Sequence, residues 1–286
     1  MSRLQLLGLG FLALSQAAID PISNKKWGYK ATTNDEYGPN DWSMGYPNCG
    51  GKHQSPINFP MQNLSHTKLW DIEMPPLQFC GACEKFTVKK LEDLYKWEIH
   101  QDENCTAKSK NNNERKYSLL QFHMHMTSEH TINGKHYDAE LHFVHKAVDG
   151  SGKLLVLGIF LQAETNTLPN VFIQDLLGDM ESEGSSGVQE RNTNYADMLN
   201  DLVKKSHLLN YSGSLTTPDC SEIVDWWVLS NPIAISFADL QKMKILYGEL
   251  PATNNSSDNR PVQSLNDREI IYYHRQPHKK CSTTGN

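Results

Sequence analysis

The amino-acid sequence predicts a mainly β (α+β) protein that forms a single domain. Short runs rich in β-branched and aromatic residues recur along the chain, and turn residues such as Asn133-Gly134 and Asp149-Gly150-Ser151-Gly152 separate them. The chain has 286 residues, a length at which all-β folds often form one domain, and it contains no internal repeat or long low-complexity block. It is therefore long enough to bury a sizeable core.

Five segments carry the strand pattern and two carry the helix pattern. The predicted strands are Phe86–Lys90, Tyr95–His100, Tyr117–His125, Ala139–His145 and Leu154–Leu161. The predicted helices are Asn192–His207 and Ser236–Tyr247. The polar stretches Gln101–Lys116 and Glu181–Gly187 are predicted to be surface loops within the domain rather than linkers between domains.

The N-terminus has the features of a secretory signal peptide. Arg3 precedes an apolar run from Leu4 to Leu14, and Ser15-Gln16-Ala17 supplies the small residues of a cleavage site. A membrane anchor is the alternative, but the run is too short to span a bilayer. We therefore predict a signal peptide at residues 1–17, a domain at residues 18–272 and a polar C-terminal tail at residues 273–286 of a secreted, extracellular protein.

Composition argues against two classes of partner. The formal net charge of −6 disfavours binding to nucleic acid or to an anionic membrane surface. No other stretch is apolar enough to cross a bilayer, and the C-terminal tail lacks the hydrophobic end of a lipid-anchor signal. We expect no nucleic-acid partner and no membrane anchor, and the sequence leaves the oligomeric state open.

The six cysteines are expected to form disulfide bonds, because an even number of cysteines in a secreted chain is typical of a disulfide framework. Cys80 and Cys83 form a Cys-x-x-Cys motif, but no second motif completes a four-sulfur zinc site. If the strands at 86–90 and 95–100 pair as a hairpin, either Cys80 or Cys83 comes near Cys105, and the pairing of Cys281 stays open. Sequons for possible N-glycosylation stand at Asn63, Asn104, Asn210, Asn254 and Asn255.

Six of the chain's twelve histidines fall within the segment Gln121–His145. Because side chains alternate between the faces of a strand, His123 and His125 point the same way. Asn133-Gly134 predicts a hairpin turn, which would bring His142 on the returning strand beside them. Three imidazole nitrogens with an open fourth position are a ligand set of catalytic zinc. The segment therefore predicts a zinc site at His123, His125 and His142.

Two polar residues could support such a site. Gln121 and Glu140 each lie two residues from a histidine, on the same strand face, where they could accept the second ring N–H. The alternative is that the His-x-His pattern lies on a solvated strand face and binds no metal. We interpret His130, His136 and His145 as hairpin or surface histidines without a role.

Further short motifs stand in a fixed order along nearly all of the mature sequence. They are Trp27-Gly28-Tyr29, Gly38-Pro39, Trp42, Gln54-Ser55-Pro56-Ile57-Asn58, Gln121-Phe122-His123-Met124-His125, Ser128-Glu129-His130-Thr131, Ala139-Glu140-Leu141-His142, Val156-Leu157-Gly158, Gly213-Ser214-Leu215-Thr216-Thr217-Pro218 and Asn259-Arg260-Pro261. In this order they resemble the α-class carbonic anhydrases. The resemblance implies that family's fold, a large, mostly antiparallel central sheet with a few peripheral helices.

The resemblance also implies a reaction and roles for individual residues. His123, His125 and His142 would bind Zn²⁺, and zinc-bound hydroxide would attack CO₂ in the reversible hydration to bicarbonate and a proton. In carbonic anhydrases, for which the value is established, zinc lowers the pKa of its bound water to about 7. Thr216 would accept a hydrogen bond from the hydroxide and pass its own proton toward Glu129, and the Thr216 N–H would hold a substrate oxygen. A three-histidine site can also take cobalt or copper.

Other positions of the family's site carry over in the same way. The resemblance implies a pocket for CO₂ lined by Val144, Val156, Leu215, Thr217, Val224 and Trp226. Tyr29 would lie with Thr217 along the polar side of the cleft. Cys49 and Cys220 occupy positions where secreted members form a disulfide, which would tie the N-terminal segment to the loop that carries Thr216.

The chain departs from the family's pattern in two places. After His125-Met126 it goes directly to Thr127-Ser128-Glu129, a short connection like that of bacterial and plant members. The position of the family's shuttle histidine falls at Asp93, and an aspartate with an ordinary pKa near 4 is poorly matched to a proton donor near pKa 7. Lys96 on the rim would repel a shuttled proton. We therefore expect an enzyme limited by proton transfer.

Two other functions are alternatives to the secreted zinc lyase. A binding or matrix protein on the same fold typically lacks one of the three ligand histidines, whereas this chain keeps all three. A zinc esterase would use the same hydroxide, but a small apolar pocket favours CO₂ over an ester.

Overall fold

The computed structural model describes residues 25–64, 66–71, 74–100, 103–110, 115–182, 188–190 and 194–275. The predicted signal peptide, residues 276–286 of the predicted tail and Cys281 lie outside the described residues. Within the described ranges, no helix is both long and apolar enough to cross a membrane.

The regular elements are mostly strands. In chain order the strands are β1 (Lys26–Trp27), β2 (Glu36–Tyr37), β3 (Asn58–Phe59), β4 (His66–Trp70), β5 (Leu77–Cys80), β6 (Lys85–Lys90), β7 (Tyr95–Ile99), β8 (Thr106–Ser109), β9 (Lys116–Met126), β10 (Thr131–Ile132), β11 (Ala139–Ala147), β12 (Leu154–Ala163), β13 (Val188–Glu190), β14 (Leu208–Gly213), β15 (Val224–Ile235) and β16 (Ile271–Arg275). The α-helices are α1 (Trp42–Gly45), α2 (Val171–Glu181), α3 (Tyr195–Lys205) and α4 (Phe237–Gly248), and short 3₁₀ turns lie at Pro47–Gly50 and Met61–Asn63.

Twelve of the described strands form one sheet. Ten of them follow the order β13-β6-β7-β9-β11-β12-β15-β14-β16-β4, while β8 pairs with both β5 and β9 beside this path. Neighbouring strands are antiparallel except in the pairs β12–β15 and β16–β4. The prediction of a mainly β protein with a large, mostly antiparallel central sheet and a few helices is therefore confirmed.

The two faces of this sheet are covered differently. On one face, Phe143 is buried together with residues of α2, α3 and α4 such as Leu199 and Met243. The opposite face carries a separate apolar cluster that contains Val144 and Trp226. The central strands β11 and β12 are buried on both faces, and β12 accordingly has a nearly continuous apolar sequence, whereas β11 carries Glu140, His142 and His145 among its apolar residues. The face opposite α2, α3 and α4 contributes the apolar residues Val144 and Trp226 to the wall of a cleft.

The predicted elements agree with β6, β7, β9, β11, β12, α3 and α4 to within a few residues. Both predicted helices begin after a capping side chain, because Asn194 accepts a hydrogen bond from Ala196 N and Ser236 accepts one from Asp239 N.

The helix α2 was not predicted. The stretch Gln101–Lys116 was predicted to be a loop, but it contains β8 and the first residue of β9. The sequence of β8 is short and polar, and only its pairing with β5 and β9 makes it a strand. The predicted end of the domain at residue 272 falls within β16.

Two disulfide bonds join four of the cysteines. Cys49 is bonded to Cys220, which ties the N-terminal segment to the loop after β14. Cys83 is bonded to Cys105, so Cys83 rather than Cys80 is the partner of Cys105. Cys80 lies exposed at the end of β5, without a disulfide to any described residue.

Four of the five sequons have exposed asparagines, namely Asn63, Asn104, Asn254 and Asn255. The prediction at Asn210 is wrong. Its side chain is buried in β14, and Nδ2 donates hydrogen bonds of 2.7 Å to Asp225 Oδ1 and 2.9 Å to the Trp226 carbonyl. A glycan on this nitrogen would remove both hydrogen bonds and has no room in the sheet.

A candidate metal centre and its cleft

Three histidines meet on the face of the sheet opposite α2, α3 and α4. His123 and His125 share this face because they lie two residues apart on β9, and His142 pairs directly with His123 across the β9–β11 ladder. The ring centroids are 5.0 Å apart between His123 and His125, 5.3 Å between His123 and His142, and 4.8 Å between His125 and His142. One nitrogen from each ring lies within 4.8 Å of the others, close enough to hold a single metal ion.

Each ring is oriented by an acceptor on its other nitrogen. Nδ1 of His123 lies 2.8 Å from Gln121 Oε1, and Nε2 of His142 lies 3.0 Å from Glu140 Oε1. Nδ1 of His125 lies 3.1 Å from the carbonyl oxygen of Asp258. These contacts leave Nε2 of His123, Nε2 of His125 and Nδ1 of His142 free to face a common point. Nε2 of His125 is buried without a hydrogen-bond partner, as a nitrogen reserved for a metal would be.

The electrostatics of the three rings differ. Burial and the neighbouring rings lower the pKa of His123, and burial likewise lowers the pKa of His142, so both are neutral at neutral pH. Burial also lowers the pKa of His125, but Glu129 and Asp258 outweigh it and raise that pKa to about 10. A cation that binds here must displace one proton from His125. Three imidazole nitrogens at one point are a donor set that fits Zn²⁺.

Thr216 lines the cleft, whereas Glu129 is fully buried beside His125, and no hydrogen bond joins the two side chains. Oε1 of Glu129 accepts the backbone N–H of Arg260 at 2.9 Å, and Oε2 has no hydrogen-bond partner. The bond expected from Thr216 to this carboxylate is therefore not formed. Oε2 lies instead 3.5 Å from Nε2 of His125.

The cleft beside the histidines encloses a cavity of about 40 Å³ that opens to solvent. The predicted pocket residues Val144, Val156, Leu215, Thr217 and Trp226 line it, together with Thr216, Gln121, His123 and His142. Two predictions do not hold. Val224 is buried in the same apolar cluster as Val144 and Trp226 but does not line the cavity, and Tyr29 lines a different cavity. Leu94 lines the cleft and was not predicted.

His130 is not the hairpin or surface histidine that was predicted. It is fully buried, with Nδ1 2.7 Å from Glu140 Oε1 and Nε2 2.7 Å from the hydroxyl of Tyr211. Tyr211 in turn donates to Ser55 Oγ at 2.8 Å. Glu140 thus lies between two histidines. Burial alone would raise the pKa of its carboxyl group, but His130 and His142 hold that pKa well below its usual range. The prediction for His145 is also wrong, since it is fully buried on the opposite face, whereas His136 is exposed.

Asp93 lies in the turn between β6 and β7 and differs from the sequence-based expectation. Its side chain is buried, and Oδ2 has no hydrogen-bond partner. Burial, together with the charge of Asp258, raises its pKa to about 7, so the expected ordinary value near 4 is wrong. Lys96 is also buried rather than on the rim, with Nζ 2.8 Å from Glu98 Oε1 and its backbone paired with His123.

Residues 37–274 match the family described as eukaryotic-type carbonic anhydrase. The chain belongs to this family. It is 31% identical to a carbonic anhydrase of Nostoc sp. over 284 aligned residues, which cover 94% of this chain and 95% of that protein. It is 29% identical to carbonic anhydrase 4 of Rattus norvegicus, with 95% of this chain and 91% of that protein covered.

A solved carbonic anhydrase has the same fold. The α-carbonic anhydrase of Thermovibrio ammonificans, determined in complex with the inhibitor sulfanilamide, superposes with a TM-score of 0.67 at 30% identity. The match covers 86% of this chain and 98% of that one. The chain is therefore an enzyme of the carbonic anhydrase class, and the resemblance found in its motifs is confirmed.

Asp258 was not predicted as a residue of this carbonic anhydrase site, although the sequence contains a signal for it. Asp258 directly precedes the motif Asn259-Arg260-Pro261, and Arg260 contacts Glu129, so the start of that motif marks the segment packed against the ligands. His130 also had a signal, because it lies within the motif Ser128-Glu129-His130-Thr131. Leu94 had none, because its burial depends on which segments cover it.

Proposed function

We propose that this chain is a secreted zinc metalloenzyme that catalyses the reversible hydration of CO₂ to bicarbonate and a proton. The single observation that carries the proposal is the convergence of His123, His125 and His142 beside a small cavity with apolar walls. Each ring has one nitrogen held by an acceptor and one left for the metal. Zinc held by these three nitrogens would supply a water that ionises near neutral pH, as it does in carbonic anhydrases.

The walls of the cavity support CO₂ as the substrate. Val144, Val156 and Leu215 present hydrocarbon to a molecule that is small and apolar, so its binding needs few polar contacts. A cavity of about 40 Å³ holds only a few water-sized groups, and an ester with an aromatic ring would have to project into the open cleft. Thr216 lines the same cavity, which supports a role for it in orienting the attacking oxygen and in holding a substrate oxygen on its N–H.

Transfer of the proton to buffer is proposed to limit the rate. The reason is the burial of Asp93, and not the pKa near 4 that was expected from the sequence. A pKa of about 7 suits a proton carrier, but only 5% of this residue is exposed, so buffer has little access to its carboxylate. The turn that holds Asp93 offers no histidine in its place. Proton export must therefore rely on a buried carboxylate or on buffer that enters the cleft.

Secretion is supported by the signal-peptide pattern of residues 1–17 and by the two disulfide bonds, which persist in oxidising compartments. Both disulfides and the exposed sequon asparagines suit an extracellular protein.

Stopped-flow CO₂ hydration tests the proposal, with the purified protein assayed as isolated, after removal of metal by a chelator, and after zinc is restored. We expect activity to fall by more than about 10³-fold without metal and to return with one equivalent of zinc. At saturating CO₂, turnover should rise with buffer concentration. Because buffer has little access to the carboxylate of Asp93, Asp93→Asn should leave turnover in dilute buffer within about twofold of wild type, as should Glu92→Gln, which changes the exposed neighbouring carboxylate.

A folded, zinc-loaded protein without CO₂ hydration would contradict the enzyme function. Turnover that is fast and independent of buffer would contradict only the limit set by proton transfer. Under the same conditions, a higher kcat/KM for an aryl ester than for CO₂ would favour the esterase.

A further inference from the structure

Asp258 lies beneath the metal centre, on the side of His125 that faces away from the cleft. It is fully buried and reaches His125 from a segment 133 residues away in the chain. Its carbonyl oxygen and its carboxylate Oδ2 each lie 3.1 Å from Nδ1 of His125. The single hydrogen on that nitrogen therefore faces both a main-chain dipole and a formal negative charge.

The carboxylate is held in place from its other side. Oδ1 accepts the backbone N–H of Met126, the residue after His125 on β9, at 2.6 Å. Oδ2 is buried and has no hydrogen-bond partner of its own. The Met126 N–H thus fixes the plane of the carboxylate and directs Oδ2 at the ring of His125.

This contact sets His125 apart from the other two ligands. Nδ1 of His123 faces the neutral amide oxygen of Gln121, and Nε2 of His142 faces the carboxylate of Glu140. Only His125 has a carbonyl and a carboxylate on one nitrogen among the contacts of the described residues.

A carboxylate buried without a positive partner is strongly unfavourable. A divalent cation on Nε2, the opposite nitrogen of the His125 ring, would supply positive charge on the far side of the ring from the carboxylate. Carboxylate, histidine and zinc in this order hold the ring in one tautomer and strengthen its bond to the metal.

We infer that Asp258 is a positioning residue of the metal site, whose carboxylate fixes the His125 ring and raises the affinity of the site for zinc. The inference rests on the proposed function, because it assumes that zinc occupies the three nitrogens. The competing explanation is that Asp258 serves only to attach its segment to β9 through Met126.

The variant Asp258→Asn separates these explanations. Asparagine keeps the size of the side chain and an oxygen for the Met126 N–H, but it removes the charge. Zinc affinity is measured at fixed pH by competition with a chelator of known affinity, and we expect the dissociation constant to rise about 10- to 100-fold. Asp225→Asn is the matched control, since Asp225 Oδ1 and Oδ2 accept hydrogen bonds from Asn210 and Trp227 away from the histidines, and its zinc affinity should stay within about twofold of wild type.

Equal zinc affinity of Asp258→Asn and wild type, with the metal-free variant less stable to urea, would show a purely structural role. If Asp258→Asn does not fold, the wild-type protein still gives the answer by NMR. Adding zinc should shift the ¹³Cγ resonance of Asp258 and leave that of Asp225 in place, whereas an unmoved Asp258 resonance would overturn the inference. Wild type that binds no zinc at all would instead overturn the proposed function.

Discussion

The strand β11 carries two buried histidines, three residues apart, in opposite environments. His142 faces the cleft, where Nε2 lies 3.0 Å from Glu140 and Nδ1 is left toward the other two ligand rings. His145 faces the helix-covered side, where its ring centroid lies 5.5 Å from that of Phe79. Nδ1 of His145 lies 3.1 Å from the Phe143 carbonyl, and Nε2 has no hydrogen-bond partner.

Burial is the same for both rings, at 1% and 0% exposure, so burial does not distinguish a ligand from a core residue. The difference lies in the neighbours. His142 has a carboxylate on one nitrogen and two further imidazoles beside the other, while His145 is surrounded by hydrocarbon. Burial lowers the pKa of both, and for His145, which has no carboxylate to oppose the effect, it falls to about 4.

The largest expected difference between the two faces is in catalysis. His142→Leu should lower CO₂ hydration by more than about 10³-fold, because it removes one of three metal ligands. His145→Leu should leave activity per bound zinc within about twofold of wild type. Zinc content and stopped-flow rates of the two purified variants test this pair, and a loss of activity in zinc-loaded His145→Leu would break the comparison.

A second difference concerns the neighbouring residues Phe143 and Val144. Phe143→Ala empties space in the helix-covered core and should lower the free energy of unfolding by about 3–5 kcal/mol, with little change in kcat/KM of the folded fraction. Val144→Phe puts a ring into a cavity of about 40 Å³ and should lower kcat/KM for CO₂ by about 10²-fold. Urea denaturation and stopped-flow kinetics on both variants separate the effects. Equal losses of stability and of kcat/KM in the two variants would mean that β11 does not divide core from cleft as described.

The smallest effect is on the pH dependence of stability. His145 has a folded pKa of about 4 against an ordinary value of 6.5, so the unfolded chain binds the proton more tightly. Stability present above pH 6.5 is therefore lost as the pH falls toward 4. Between pH 7 and pH 5.5 this histidine should account for a loss of about 1 kcal/mol. Between these two pH values, the free energy of unfolding of His145→Leu should fall by about 1 kcal/mol less than that of wild type, as measured by urea titration. Identical decreases in the two proteins would show that His145 is already charged in the folded protein.

Much of the metal site follows from local rules. The alternation of a strand puts His123 and His125 on one face, and the Asn133-Gly134 turn returns the chain so that His142 pairs with His123. The same rules put Gln121 and Glu140 next to the rings that they contact. The motifs fixed the family because many short patterns stand in one order.

Other features depend on which distant segments meet. Asp258 reaches His125 across 133 residues, and His130 contacts Tyr211 across 81. Cys83 rather than Cys80 faces Cys105, and Asn210 points into the sheet and not to solvent. No periodicity encodes these contacts, because they are set by the order of strands in the sheet and by the segments that cover its faces.

The sequence by itself thus determined the fold class, the family and the three ligand histidines, since strand periodicity and turn chemistry act over a few residues. Only the tertiary structure decided how each group is charged and partnered. It raised the pKa of Asp93 to about 7, buried Lys96, and put the carboxylate of Asp258 behind a ligand. The physical reason is that burial and charge at a site are sums over neighbours from many parts of the chain, and those neighbours exist only once the sheet has closed around them.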